Sequence, residues 1–134
     1  VLVALKINPD ILVGDTGNVI NNSDILEWNH NPGSANGSYI KFNNGLLICY
    51  KNLSGLPSNP GLWSAGIYYS DISAGVWAYT FSSIGNVQVT SSSNQWWANI
   101  ISSSETSCGT IRLMRPDPNN QRYSIQIFAI GTWK

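Results

Sequence analysis

The chain has 134 residues, enough for one domain with a modest core. Seven basic and seven acidic side chains cancel, and charged residues make up only 10% of the chain, so no basic excess exists to hold a phosphate backbone and nucleic acid is not an expected partner. No apolar run is long enough to cross a bilayer, so membrane insertion is not expected, and six Trp and six Tyr argue against disorder. The polar surface must be built from neutral groups, for which 18 Ser and 16 Asn are present.

Residues 1–25 differ in character from the rest. Residues 1–7 and 11–13 read as short strands around an Asn8-Pro9-Asp10 turn, and 14–18 break the pattern with Gly and Asp. These strands are apolar on both faces, which implies burial against other subunits. The first run is too short for a signal peptide and lacks a cleavage pattern. The absence of an initiator Met suggests a fragment or a processed chain. The expected organisation is therefore an N-terminal segment of intersubunit strands over 1–25 and a separate β domain over 26–134.

Residues 23–28 are expected to make one helical turn, and 29–37 a loop punctuated by Pro32-Gly33 and Asn36-Gly37. Next come two short strands around Asn44-Gly45, a pair that supplies the positive φ angles of a two-residue hairpin. Alternation puts Tyr39, Lys41 and Asn43 on one face and Ile40 and Phe42 on the other. Residues 54–61 form a turn-rich insertion. Further β segments follow at 67–69, 76–81, 87–91, 96–101, 110–115 and 123–133, each bounded by Gly, Ser, Asn or Pro. Strands about ten residues apart, with no convincing amphipathic helix, indicate an all-β antiparallel sandwich or barrel of seven to ten strands. Cys49 and Cys108 read as two buried thiols, with a bridge as the alternative.

Catalysis is not expected. The one histidine, His30, lies in an Asn/Pro/Gly loop and reads as a solvent-exposed side chain. The carboxylates Asp10, Asp15, Asp24, Glu27, Asp71, Glu105 and Asp117 are not paired in sequence, although folding could bring two of them together as glycoside hydrolysis requires. No nucleophile elbow, phosphate loop or paired-histidine motif is present, so no cofactor or metal is expected. Aromatic residues are the stronger lead, because sugar rings offer apolar C–H faces beside hydroxyls. Trp96 and Trp97 are adjacent at a strand start, and a regular strand points neighbours to opposite faces, so one indole must leave the core. The alternative is that one fills the core and the other a subunit contact. Asn94 and Gln95 precede them with neutral amides. Trp63 beside the Pro57–Pro60 loop, and the Arg115–Asp117 turn, are the candidate flanks of a ligand site; capping the sandwich and a plain exposed turn are their respective alternatives. Trp28 reads as packing.

The hairpin sequence Gly37-Ser-Tyr-Ile-Lys-Phe42, the following Leu-Leu-Ile-Cys strand and the ending Ala129-Ile-Gly-Thr-Trp-Lys134 closely resemble C-terminal domains of bacteriophage tail fibres and tail-tip receptor-binding proteins. Residues 77–81, 86–90 and 108–113 are similar to strands between those two ends, so the resemblance covers about a hundred residues. The Pro57–Pro60 loop and Trp96-Trp97 fall outside the pattern. The resemblance implies a lectin-like β-sandwich, often of H-type topology, assembled as a homotrimer at the distal tip of the virion's tail or tail fibre. It reads Trp77, Phe81 and Trp133 as core. Its implied partners are a bacterial cell-surface polysaccharide, its own copies and upstream tail or baseplate proteins. The resulting expectation is adhesion to a saccharide without cleavage; the alternatives are a fibre-tip glycan depolymerase and a purely structural trimerisation module.

Overall fold

Strands form where apolar residues alternate with polar ones and a turn residue closes each run. In this computed structural model, residues 25–31 and 34–134 are described. They contain β1 (Ile25–Asn29), β2 (Ser38–Phe42), β3 (Leu46–Gly55), β4 (Gly61–Ser64), β5 (Ile67–Ser73), β6 (Ser83–Ser91), β7 (Trp97–Ser102), β8 (Thr110–Arg115) and β9 (Tyr123–Thr132), and no helix. The strands form two antiparallel sheets, β1-β2-β3-β9-β6 (sheet A) and β4-β5-β8-β7 (sheet B). The chain is thus all-β with the build of a sandwich. The strands expected at 1–7 and 11–13 lie outside the described residues, which begin with Ile25 at the start of β1.

The core is the seam between the sheets. Sheet A contributes Leu47, Cys49, Ile125, Ile127 and Ala129; sheet B contributes Ile111 and Leu113, with Cys108 just before β8. Burying each Leu or Ile side chain contributes about 1.5–3 kcal/mol. Both thiols are free and buried, and burial pushes the Cys49 thiol up to about 12, which makes it a poor nucleophile. Lys51 is also buried; its ammonium donates to the carbonyls of Ala74 (2.5 Å) and Val76 (3.1 Å) and so ties the β5–β6 connection to sheet A.

Three sequence expectations need correction. The hairpin turn is Phe42–Gly45, closed by Gly45 N–H donating to Phe42 O at 3.0 Å, with Asn43 and Asn44 inside it. Gly45 alone takes a positive φ (99°), as in a three-residue loop ending in a glycine bulge, rather than the two-residue turn expected from Asn44-Gly45. Residues 25–29 pair with β2 instead of making a helical turn, because one unpropagated turn cannot compete with a full strand pairing. Residues 76–81 imitate strand alternation but form only a single bridge, Val76 to Ser107. Trp77 N–H and Phe81 N–H donate instead to Thr106 O and Glu105 O, and both rings turn into the core in an edge-to-face pair 5.7 Å apart. The strand β4 lies at the end of the expected turn-rich insertion.

The two ends of the resemblance meet in space. Trp133 donates through its indole N–H to Phe42 O (2.8 Å) and through its backbone to Gly45 O (3.0 Å), while Lys134 Nζ reaches Asn43 O at 2.6 Å. The inward residues of β2 complete this frame. Tyr39 donates to the Glu27 carboxylate, which raises the phenol to about 12, and Lys41 Nζ donates to Tyr79 OH at 2.9 Å beneath the Trp133 ring. The hairpin motif is therefore framework, with Tyr39 and Lys41 inward and Ile40 and Phe42 outward.

Candidate functional site

Alternation along β8 sets the chemistry of sheet B. Ile111, Leu113 and Arg115 point inward and are buried, which turns Arg112 and Met114 to the outer face. Across the sheet, Trp97, Met114, Tyr69 and Gly61 form one cross-strand row, and Asn99, Arg112 and Asp71 form the next. Trp97 is 59% exposed, whereas Trp96, one residue earlier, is 2% exposed. The bulge between Leu62 and Ser64 brings the Trp63 ring, 55% exposed, to 5.7 Å from the Arg112 guanidinium on this same face.

Arg112 sits at the centre. Its Nε and Nη2 donate to the two Asp71 oxygens at 2.8 and 2.7 Å, and its guanidinium carbon lies 4.3 Å from the Tyr69 ring centre. The Arg112 hydrogen bonds hold the Asp71 carboxyl below the ordinary aspartate range. The pair is formally neutral and geometrically fixed, flanked by aromatic rings. The face can therefore present flat apolar ring surfaces beside hydrogen-bonding groups without net charge.

The other expected site residues divide into two groups. Asn94 and Gln95 are exposed in the turn that leads into β7, where Gln95 N–H donates to Ser93 Oγ at 3.1 Å and the two side-chain amides bond each other at 3.1 Å. Trp96 and Arg115 form an interior pair, with Asp117 partly exposed in the turn at its edge. The Arg115 guanidinium, 4% exposed, lies 5.0 Å from the Trp96 ring centre and donates through Nη2 to Asp117 at 2.9 Å. Trp96 donates its indole N–H to Gln121 O at 2.9 Å. Arg115 is thus the last inward residue of β8 and not the tip of an exposed turn. The 56–60 loop is pinned from the same side by Asn120 Nδ2 donating to Pro57 O at 2.7 Å. Trp63 and Trp97 share a face; Trp96, Arg115 and Asp117 do not reach it.

Tyr69, Asp71, Asn99, Arg112 and Met114 were not singled out from sequence. Period-two alternation in 110–115 marks Arg112 as outward, but its partner Asp71 is 41 residues away and becomes a neighbour only through the β5–β8 pairing.

The outer face of sheet A differs. One row across all five strands reads Trp28, Ile40, Ile48, Ile130 and Asn86. The next reads Ser38, Tyr50, Phe128 and Gln88. A hollow of about 610 Å³ on this face is lined by residues that include Ile40, Ile48, Tyr50 and Phe128. Trp28, expected to pack, is 59% exposed here. His30 is exposed as expected and bonds the Tyr50 hydroxyl through Nδ1. Among the described residues, no three His, Cys, Asp or Glu side chains gather as a metal site.

No family model and no curated protein matches the chain. Two solved structures share its fold. One is a P. aeruginosa R1 pyocin fibre comprising C-terminal residues 323–701, with 19% identity and a TM-score of 0.54 over 73% of this chain and 26% of that one. The other is an N-truncated R1-type pyocin tail fibre, with 16% identity and a TM-score of 0.56 over 92% of this chain and 96% of that one. The chain spans about a quarter of the first and nearly all of the second. At these identities the likeness is one of fold.

Proposed function

We propose that this chain is the receptor-binding head domain of a phage tail fibre or tail-tip adhesin, which adheres to a bacterial cell-surface saccharide and does not cleave it. The outer face of sheet B carries this reading: two exposed indoles, a tyrosine and a fixed, neutral ion pair are the groups that suit a hydroxylated ring with apolar faces. The fold shared with pyocin fibres and the motif resemblance support this reading, in which the domain sits at the distal tip of a virion's tail fibre, joined to upstream tail or baseplate proteins. Trp97 takes the anchoring role, with Trp63 on the far strand and Asn94 and Gln95 at the border. Arg115 and Trp96 support the strand from inside, with Asp117 at their edge.

The largely apolar row Trp28, Ile40, Ile48 and Ile130 on sheet A, with Phe128 beside it, favours assembly into a homotrimer in which these faces meet other copies. Weak single sites then gain strength by avidity. A glycan array with the recombinant domain tests the reading. Binding to bacterial surface saccharides, lost in Trp97→Ala with no release of reducing sugar, is the expected result. Sugar release would favour a depolymerase. No binding to any saccharide would leave a structural module. Sedimentation equilibrium tests the trimer, and a monomer at micromolar concentration would refute it.

A further inference from the structure

The following rests on the reading of the outer face of sheet B as a saccharide site. We propose that its ligand is an internal stretch of an uncharged glycan chain, laid across the strands from Trp97 to Trp63, rather than a chain terminus or an acidic sugar. Trp97 stands on β7 and Trp63 on β4, the two edge strands of the sheet. Three inter-strand steps of about 4.8 Å separate those strands, roughly 14 Å in all. The Trp63 ring leans inward to 5.7 Å from the Arg112 guanidinium, and a chain of more than one ring covers this stretch and Trp97 together. Between the indoles the chain meets Met114 and Tyr69 in one row and Asn99, Arg112 and Asp71 in the next. The rows end at edge strands on both sides, so a polymer can continue past each indole.

Charge decides the class of polymer. Arg112 is the cation beside the Trp63 and Tyr69 rings, and its Nε and Nη2 donate to the two Asp71 oxygens. A uronate or sialate carboxylate that reaches the remaining Arg112 N–H groups meets the Asp71 charge beside them, and an amino sugar's ammonium at the free Asp71 lone pairs meets the Arg112 charge. Neutral hydroxyl groups meet neither repulsion. They can use the exposed Asn99 amide and the outward lone pairs of Asp71 while the ion pair stays closed.

The test uses a glycan array of bacterial surface polysaccharides, followed by calorimetry on size-graded fragments of a polysaccharide that binds. Affinity is expected to rise roughly tenfold or more once fragments are long enough to span both indoles, then level off, because one aromatic anchor is worth that scale of binding. Trp97→Ala and Trp63→Ala should each remove the gain with length while melting temperatures hold. The gain should survive 0.5 M salt. Equal affinity for single sugars and long fragments, or binding confined to acidic polymers and lost in salt, would overturn the proposal but keep saccharide binding. An array with no bound saccharide would remove both.

Discussion

The two outer faces of this sandwich each expose a tryptophan, yet they differ in what surrounds it. On sheet A, Trp28 heads a row that continues through Ile40, Ile48 and Ile130 with no ionisable side chain among them. On sheet B, Trp97 and Trp63 flank a fixed arginine–aspartate pair, a tyrosine and an asparagine. A protein surface can cover the first face with apolar side chains and lose nothing. A sugar cannot, since its hydroxyls would be stripped of water without partners. The second face offers those partners. An exposed aromatic residue is therefore a weak indicator by itself, and the polarity of its neighbours distinguishes an assembly surface from a glycan surface.

The largest effect expected lies inside the sandwich. Trp96→Ala removes a buried indole, its hydrogen bond to Gln121 O and the ring beneath Arg115, and should cost about 3–5 kcal/mol of stability by chemical denaturation. Trp97→Ala should leave the denaturation midpoint nearly unchanged. Equal losses from both would mean that Trp97 also packs, and the contrast between interior and face would fail.

Phe128→Asp comes next and tests the sheet A face. Phe128 is partly exposed, pairs with Tyr50 and Gln88, and lines the hollow together with Ile40 and Ile48. A carboxylate there should weaken self-association by about 3 kcal/mol, a hundredfold or more, in sedimentation equilibrium. Binding per site to a monovalent saccharide should not change. Loss of monovalent binding would place the ligand on sheet A or between subunits.

Trp97→Ala then probes the ligand itself and should weaken saccharide binding by roughly 1–3 kcal/mol, measured by calorimetry. That one of Trp96 and Trp97 faces out was legible before any coordinates, because strand alternation forbids them a shared face, but which of the two was not. The bounds of β8 were legible from its β-branched run closed by Gly109 and Pro116. What failed was non-local. Residues 76–81 alternate like a strand, but Trp77 and Phe81 gain more by plugging the core than by pairing. The sequence pattern placed Arg115 in a turn, while one further inward step of β8 stacks it on Trp96. The Arg112–Asp71 pair depends on which strands adjoin, and strand order in a sandwich is not written in any local pattern.

The smallest expected effect is a null one in pH. Arg112 holds the Asp71 carboxyl below its ordinary value of 3.8, so the folded chain keeps this group ionised to lower pH than the unfolded chain does. A depressed folded pKa contributes stability above the ordinary value, and that contribution fades only as pH falls through the lower folded value. The pair is partly exposed, so its share of stability is about 0–1 kcal/mol. Its consequence for binding is clearer than its share of stability. Between about pH 8 and pH 4.5 both partners stay charged and closed, and the face stays formally neutral. Binding of an uncharged glycan should therefore be flat across that range, and Asp71→Asn should change this little at neutral pH unless Arg112 swings free. If Asp71→Asn instead converts the face into one that prefers acidic saccharides, the carboxylate's role is to keep Arg112 from anions. A steep loss of binding between pH 7 and 5 in the unaltered chain would mean that another titrating group contacts the sugar, and the division between a neutral glycan face and an apolar assembly face would need a different boundary.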